Sequence, residues 1–443
     1  MRLSVIGLGK VGSPLAAVFA SKGHHVIGVD VAVEYVRMLA SGKAPVQEPH
    51  LQELIDASKS RLTANVSYED AVLGSDVSFV VVPAPSDENG VFTNKNVIAA
   101  VQEIGKGLRN KTGYHVVNII TTVMPGSTGG EIRDAIEKNS GRRAGDGLGL
   151  CYNPGFIALG SVIHDMLNPD FILLGESDSK AGDVVESLYR TTCDNQPPIR
   201  RMDLINAEIA KLSLNAYLTT KISYANMLAE ICERLPGADV DVVTSAIGLD
   251  TRIGSKYLKG AISYGGPCFP RDNTAFAALA RIIGARADLA EATTRLNRYH
   301  ADRLVAHVRG RAARGSTVGI LGLSYKPDTP VIEESPGVAL ALRLLDGGYV
   351  VKVFDPMALD VALAVLGRTA LAESMEACVR EADLVVITTP WPAFSRLDAA
   401  SFRRGGKRAV IIDCWRVLPK ERFEDVAEVV YVGYGDDWRF AGR

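Results

Sequence analysis

At 443 residues the chain is too long for one hydrophobic core and is expected to fold as two or three domains. With 47% hydrophobic and 23% charged residues it has an ordinary globular composition, and a formal net charge of -2 gives no electrostatic reason for a nucleic-acid partner. No apolar run approaches the roughly 20 residues of a membrane helix, and neither a signal-like segment nor CxxC spacing among the six cysteines is present, so no membrane partner and a reducing cytoplasm are the expected setting.

Leu3 to Gly7 reads as a buried-type strand running into a glycine turn. A helical stretch follows, then His25 to Asp30, a strand ending in an acid. Ser75 to Pro83 gives a further strand that stops at proline. From Asn206 to Leu235 there is no proline, and Ile205, Ile209, Leu212 and Ala216 recur at helical spacing, which predicts one long helix ended by Pro236-Gly237. Helical patterns resume over Thr274 to Gly284 and Leu289 to Val308. The C-terminal part repeats the opening order: Val318 to Gly322, Val350 to Asp355 and Ala382 to Pro390 mirror the first three strands. Apolar strands alternating with helices imply parallel sheets covered on both faces. The expected fold is α/β, with two Rossmann-like doubly wound domains at 1–200 and 301–443 joined by a helical region at 201–300. The residues after Gly433 are expected to be loosely held.

Gly7-Leu8-Gly9-Lys10-Val11-Gly12 fits GxGxxG between a strand and a helix. There Gly7 permits the tight turn, Gly9 lets backbone amides meet a pyrophosphate, and Gly12 allows close helix packing. Asp30 would accept hydrogen bonds from ribose hydroxyls. Its charge would repel a 2′-phosphate, and Val31-Ala32 bring no arginine to offset it, so NAD is expected over NADP. The C-terminal unit keeps Gly319 and Gly322 but has Pro327 where a helix should start. It has lost the dinucleotide cradle, and Lys326 is either a phosphate contact or a surface lysine.

The run Gly265-Gly266-Pro267-Cys268-Phe269-Pro270-Arg271-Asp272 sets a cysteine just before an alanine-rich helical stretch. A thiol at a helix N-terminus favours its thiolate form. Lys211 and Asn215, four residues apart, share one helix face. Taken singly, Cys268 would more often be a buried structural cysteine than a nucleophile, and the other two would most often belong to a solvated face. Seven histidines without metal-ligand spacing give no metal site.

Read as a set, these segments resemble the UDP-glucose/GDP-mannose dehydrogenase family over nearly the whole chain. The matches are Gly7 to Gly12, Gly42-x-x-Pro45-x-x-Glu48-Pro49, Val82-Pro83-Ala84-Pro85, Thr121 to Ser127, Asn153-Pro154 and Asn168-Pro169-Asp170. They continue through Ala207-Glu208-x-x-Lys211-x-x-x-Asn215, Gly266 to Asp272, Gly322 to Thr329 and Glu334-Ser335-Pro336. The resemblance implies oxidation of the C6 hydroxymethyl of a nucleotide-linked hexose to a carboxylate with two NAD, and a homodimer or higher homo-oligomer. It assigns Cys268 as covalent nucleophile, Lys211 and Asn215 as stabilisers of the developing oxyanion, and Asp272 as the residue positioning Lys211 or a water. Thr122 would sit near the nicotinamide and help order a water, and Pro83 would contact the cofactor. Phe156, Tyr257, Gly265, Lys326 and Arg252 would meet the nucleotide sugar, Arg252 alternatively reaching a neighbouring subunit.

One departure bears on chemistry. The family segment Asn-Pro-Glu-Phe-Leu-x-Glu carries a glutamate that is the candidate base for thioester hydrolysis. Here it reads Asn153-Pro154-Gly155-Phe156-Ile157-Ala158-Leu159, with both acids gone. Met124 and Asp413-Cys414-Trp415-Arg416 are smaller departures that bear on shape. Three outcomes follow: another group hydrolyses the thioester, oxidation stops at the aldehyde, or the chain binds nucleotide sugars without turnover. Retention of Cys268, Lys211, Asn215 and Asp272 argues against the third, and of the other two the first is preferred.

Overall fold

The computed structural model describes residues 1–380, 382–403 and 408–435. The chain packs as two compact units, Met1–Ser213 and Leu214–Arg443, and the boundary falls inside one continuous helix, Leu204–Glu233. Among the described residues no helix is long and apolar enough to cross a membrane.

The first unit is built on a nine-stranded sheet: β1 (Arg2–Ile6), β2 (His25–Val29), β3 (Leu62–Asn65), β4 (Val77–Val80), β5 (His115–Ile119), β6 (Arg143–Ala144), β7 (Gly147–Tyr152), β8 (Ile172–Glu176) and β9 (Ile199–Asp203). The order is β3-β2-β1-β4-β5-β7-β8-β9, with β6 on β7. β4 and β5 are buried at every position, as expected of strands covered on both faces. Phe19 and Phe79 pack 4.8 Å apart on one face, while Val101, Ile104 and Ile136 line the other. The all-parallel expectation fails at one pairing: β7 and β8 are antiparallel. Short apolar strands look alike in either direction, so the sequence pattern could not show it. The reversal keeps residues 153–171 at the carboxyl end of the sheet, the end at which the glycine turn leaves β1.

The second unit combines helices Val240–Gly248, Phe269–Ile282 and Asp288–Arg309 with a parallel sheet of β10 (Thr317–Leu321), β11 (Val350–Phe354), β12 (Leu384–Ile387), β13 (Ala409–Asp413) and β14 (Ala427–Tyr431), ordered β11-β10-β12-β13-β14. Helix Phe269–Ile282 starts five residues before the predicted Thr274, because Pro270 sits in the first turn, where a missing N–H costs nothing. Helix Val240–Gly248 has no counterpart in the sequence reading; the Asp239 side chain caps it at the Asp241 N–H. Gly433 and Gly435 are held by hydrogen bonds. Gly433 N–H donates to Glu233 (2.8 Å) and Gly435 N–H to the Ala238 carbonyl (2.9 Å), while residues 436–443 lie outside the described residues.

Two of the buried histidines predict a loss of stability in acid. His115, bonded to Ser78 and near Lys111, Arg142 and Asp76, is pushed down by burial to about 3. His300, near Arg303, Glu230 and Glu233, is pushed down by burial to about 4. Folded, both stay neutral well below the unfolded histidine value of about 6.5. As pH falls through that value the unfolded chain gains protons that the folded chain does not, so stability drops progressively down to roughly pH 4. Each residue should remove on the order of 1–2 kcal/mol by pH 5. The urea midpoint is expected to be lower at pH 5 than at pH 7.5, and His300→Leu, which cannot charge, should reduce that difference. Equal midpoints at the two pH values would refute this account.

Candidate active site

At the carboxyl end of β1, Gly7 takes a φ of +102°, and a Cβ there would meet the Val81 carbonyl oxygen at 2.7 Å. A Cβ on Gly12 would lie 1.8 Å from the Gly7 carbonyl oxygen, so helix Gly12–Ser21 can approach the turn only as glycine. A Cβ on Gly9 would meet nothing within 4 Å, which leaves its backbone accessible. Lys10 is exposed and Val11 precedes the first helical residue. Asp30 accepts from Leu8 N–H (2.6 Å) and Ala32 N–H (2.7 Å), which fixes its carboxylate beside the turn. Close-packed glycines, a helix N-terminus without a side-chain cap and a second-strand acid are the features that a dinucleotide site requires. The residues fit NAD.

The same end of the sheet carries three other loops. Pro83 follows β4, and its carbonyl accepts from Asn96 (2.9 Å); Thr122 is half-buried just after β5. After β7, Lys211 Nζ donates to the Gly155 carbonyl at 2.7 Å and lies 4.6 Å from the centre of the Phe156 ring. The lysine therefore sits on the segment that has lost its acids. That loop is shaped by two carboxylates. Glu48 accepts from Gly160 (3.0 Å) and Val162 (2.7 Å) N–H, and Asp165 from Ala158 N–H (2.9 Å). Glu208, three residues before Lys211, is fully buried and accepts from Gly126 (2.6 Å) and Thr128 (2.7 Å) N–H. Burial raises its pKa despite those bonds. It ties the Thr122 loop to the lysine helix, a role the sequence reading did not find.

In the second unit Cys268 is the N-cap residue of helix Phe269–Ile282 and is exposed, whereas the other five cysteines are buried. Its thiol stands at the electropositive end of that helix. Gly265 and Gly266 deliver it through a narrow passage. A Cβ on Gly265 would lie 2.1 Å from the Glu334 carbonyl oxygen, and one on Gly266 (φ +90°) 2.6 Å from the Tyr325 ring. Asp272, 1% exposed, accepts from Asn215 Nδ2 at 2.6 Å and from Arg271 at 3.0 and 3.1 Å. Within this unit Asp272 thus orients Asn215, and Arg271, which the sequence reading left without a role, balances its charge.

Tyr257 (φ +64°) stands edge-on to Phe269 at 6.1 Å. Lys326 lies in a loop closed by the bond from Tyr325 N–H to the Val331 carbonyl (3.0 Å). Arg252 is exposed and bonds Asp250 at 2.6 and 3.0 Å. The second-strand acid of this unit, Asp355, is buried and accepts from Leu323 and Ser324 N–H and from the Trp391 indole (3.1 Å). The tryptophan seals the position that Asp30 keeps at the surface, so the C-terminal sheet has lost the dinucleotide site physically as well as in sequence.

The glycine turn, the acid-ended second strand and the doubly wound sheet define an NAD-binding oxidoreductase fold. Three models of the UDP-glucose/GDP-mannose dehydrogenase family match the chain in order: the NAD binding domain over residues 1–193, the central domain over 205–299 and the UDP binding domain over 319–420. The chain belongs to that family, whose members are nucleotide-sugar dehydrogenases. It is 35% identical over 434 residues to UDP-glucose 6-dehydrogenase AglM of Haloferax volcanii, covering 97% of this chain and 100% of that one. It is 33% identical over 359 residues to GDP-mannose 6-dehydrogenase of Pseudomonas aeruginosa, covering 80% and 81%. The solved UDP-glucose dehydrogenase of Pyrobaculum islandicum superposes with a TM-score of 0.90 at 34% identity, covering 98% of both chains.

Proposed function

We propose that this chain oxidises the C6 hydroxymethyl of UDP-glucose to the carboxylate of UDP-glucuronate, with Cys268 as covalent nucleophile. The observation that carries the reading is the exposed cysteine at a helix N-cap, one turn from an Asp272 that already grips Asn215. NAD, held by the Gly7 to Gly12 turn and Asp30 with Pro83 and Thr122 nearby, supplies the hydride acceptor for both oxidations. Lys211 and Asn215 stabilise the alkoxide as the alcohol gives its proton to a water. The Cys268 thiolate then adds to the aldehyde carbon, giving a thiohemiacetal whose oxidation leaves a thioester. Water breaks the C–S bond, releasing the acid and regenerating the thiol. Because Asp272 accepts from Asn215 Nδ2, the amide is locked in one orientation and its remaining N–H is free to serve an oxyanion. Lys326 serves the diphosphate. Phe156, Tyr257, Gly265 and Arg252 serve the sugar end.

The test is a panel of UDP-glucose, GDP-mannose and UDP-N-acetylhexosamines with NAD or NADP, counting reduced cofactor per sugar consumed. Two NADH per UDP-glucose with the highest kcat/KM are expected. A higher kcat/KM for GDP-mannose would overturn the substrate, and a preference for NADP would overturn the role of Asp30.

A further inference from the structure

The segment bearing Cys268 is tied at both ends to one helix. Four residues before the cysteine, Tyr264 N–H donates to Asn297 Oδ1 at 2.8 Å and the Tyr264 carbonyl accepts from Asn297 Nδ2 at 3.0 Å. Both polar atoms of one side chain are thus spent on the backbone of one residue, the pattern of a strand edge supplied by an amide. Five residues after the cysteine, Asn273 Nδ2 donates to the Ala290 carbonyl and to Thr294 Oγ1, each at 2.8 Å. Asn297, Ala290 and Thr294 all belong to helix Asp288–Arg309. Between the anchors the chain has little freedom. Gly266 N–H bonds the Glu333 carbonyl (3.0 Å), and the Tyr264 ring stands edge-on to Phe269, the first residue of the cysteine's helix, at 6.4 Å.

The two anchors differ in kind. Asn273 is fully buried and also accepts from Thr219, so it belongs to the packing between helices. Asn297 is half-buried, and its amide does one thing. Asn226 repeats the device one step upstream, accepting from Ala261 N–H (2.8 Å) and donating to the Ile262 carbonyl (2.6 Å), but at 1% exposure it also serves the core. We propose that Asn297 is a positioning residue for the Cys268 nucleophile: it fixes both peptide planes around Tyr264, so that the glycine turn presents the thiol at the helix N-cap before substrate binds. A nucleophile held in place removes an orientational cost from carbon–sulfur bond formation, and a displacement of about 1 Å can cost on the order of 100-fold. The inference rests on Cys268 being the nucleophile.

The test compares wild type, Asn297→Ala, Asn297→Asp and Cys268→Ser in rapid-mixing kinetics on UDP-glucose and in equilibrium binding, with native alkylation of Cys268 by iodoacetamide read by peptide mass mapping. Asn297→Ala should slow formation of the acyl adduct on Cys268 by about tenfold or more, with Kd for the nucleotide sugar and for NAD within about threefold, because chemistry and not binding is affected. Alkylation of Cys268 should slow in step. Asn297→Asp keeps the acceptor for Tyr264 N–H and loses the donor, so it should fall between the two; it also provides the comparison if the alanine variant does not fold. A rate of adduct formation for Asn297→Ala within twofold of wild type overturns the proposal. So does a joint change in that rate and both Kd values with no recovery in Asn297→Asp, which is the mark of a general structural role. A fully active Cys268→Ser would sink the nucleophile itself, an outcome separate from either result at Asn297.

Discussion

Cys268→Ser should stop acid formation, lowering its steady-state rate by at least about 10³-fold while leaving binding of NAD and nucleotide sugar within about twofold. The size follows from what serine lacks. A hydroxyl at this N-cap stays protonated at neutral pH, so no covalent adduct forms and the second oxidation has no thiohemiacetal to act on. The substitution is close to isosteric and the position is exposed, so folding should be unaffected. The five buried cysteines make the check simple: iodoacetamide on the native protein should label Cys268 alone, and the serine variant should take up no label. Undiminished acid production by the variant removes Cys268 from the mechanism. Weakened binding with normal turnover would make it a structural residue.

Features carried by a few consecutive residues were legible in the sequence. The glycine turn and Asp30 are such a case, because strand, turn and helix follow in one stretch and the turn's chemistry is stereotyped. Cys268 was legible for the same reason, since it stands in a short glycine-rich run just before an alanine-rich helical stretch. Lys211 was legible as a residue but not as a contact. Its partner is the carbonyl of Gly155, and a backbone oxygen carries no mark in a sequence. The same holds for Asn297, whose amide serves the Tyr264 backbone. Asp355 read as a copy of Asp30, and only folding brings Trp391 onto it. The antiparallel step from β7 to β8 was hidden because strand direction leaves no trace in a short apolar run. Pro270 disguised the true start of the cysteine's helix by looking like a breaker.

The glycine at 155 should make deacylation the slow step. General base catalysis is worth about 10²–10⁴ in rate, and this chain has no carboxylate at the position where its family places one. Both oxidations should therefore outrun hydrolysis. Rapid mixing with UDP-glucose should give a burst of NADH near twice the enzyme concentration, then a slow steady state, and intact mass spectrometry should find an acyl adduct on Cys268. The backbone does not demand glycine here. Its φ lies outside the left-handed region, and the three atoms nearest an added Cβ would be Ile157 side-chain carbons, at 3.5–3.8 Å, which is ordinary contact. Gly155→Glu is thus sterically open at its first carbon, and its carboxylate would start from the residue whose carbonyl already holds Lys211 at 2.7 Å. Deacylation should accelerate by about 10-fold or more, shrinking the burst, while Gly155→Ala, which adds volume without a base, should leave the burst unchanged. Arrest at the aldehyde gives a different signature: one NADH per sugar, a product trapped by hydroxylamine, and no adduct. Two NADH per sugar with neither burst nor adduct would mean that a group elsewhere in the chain has taken over the water, and that the loss of the acid at 155 is fully compensated.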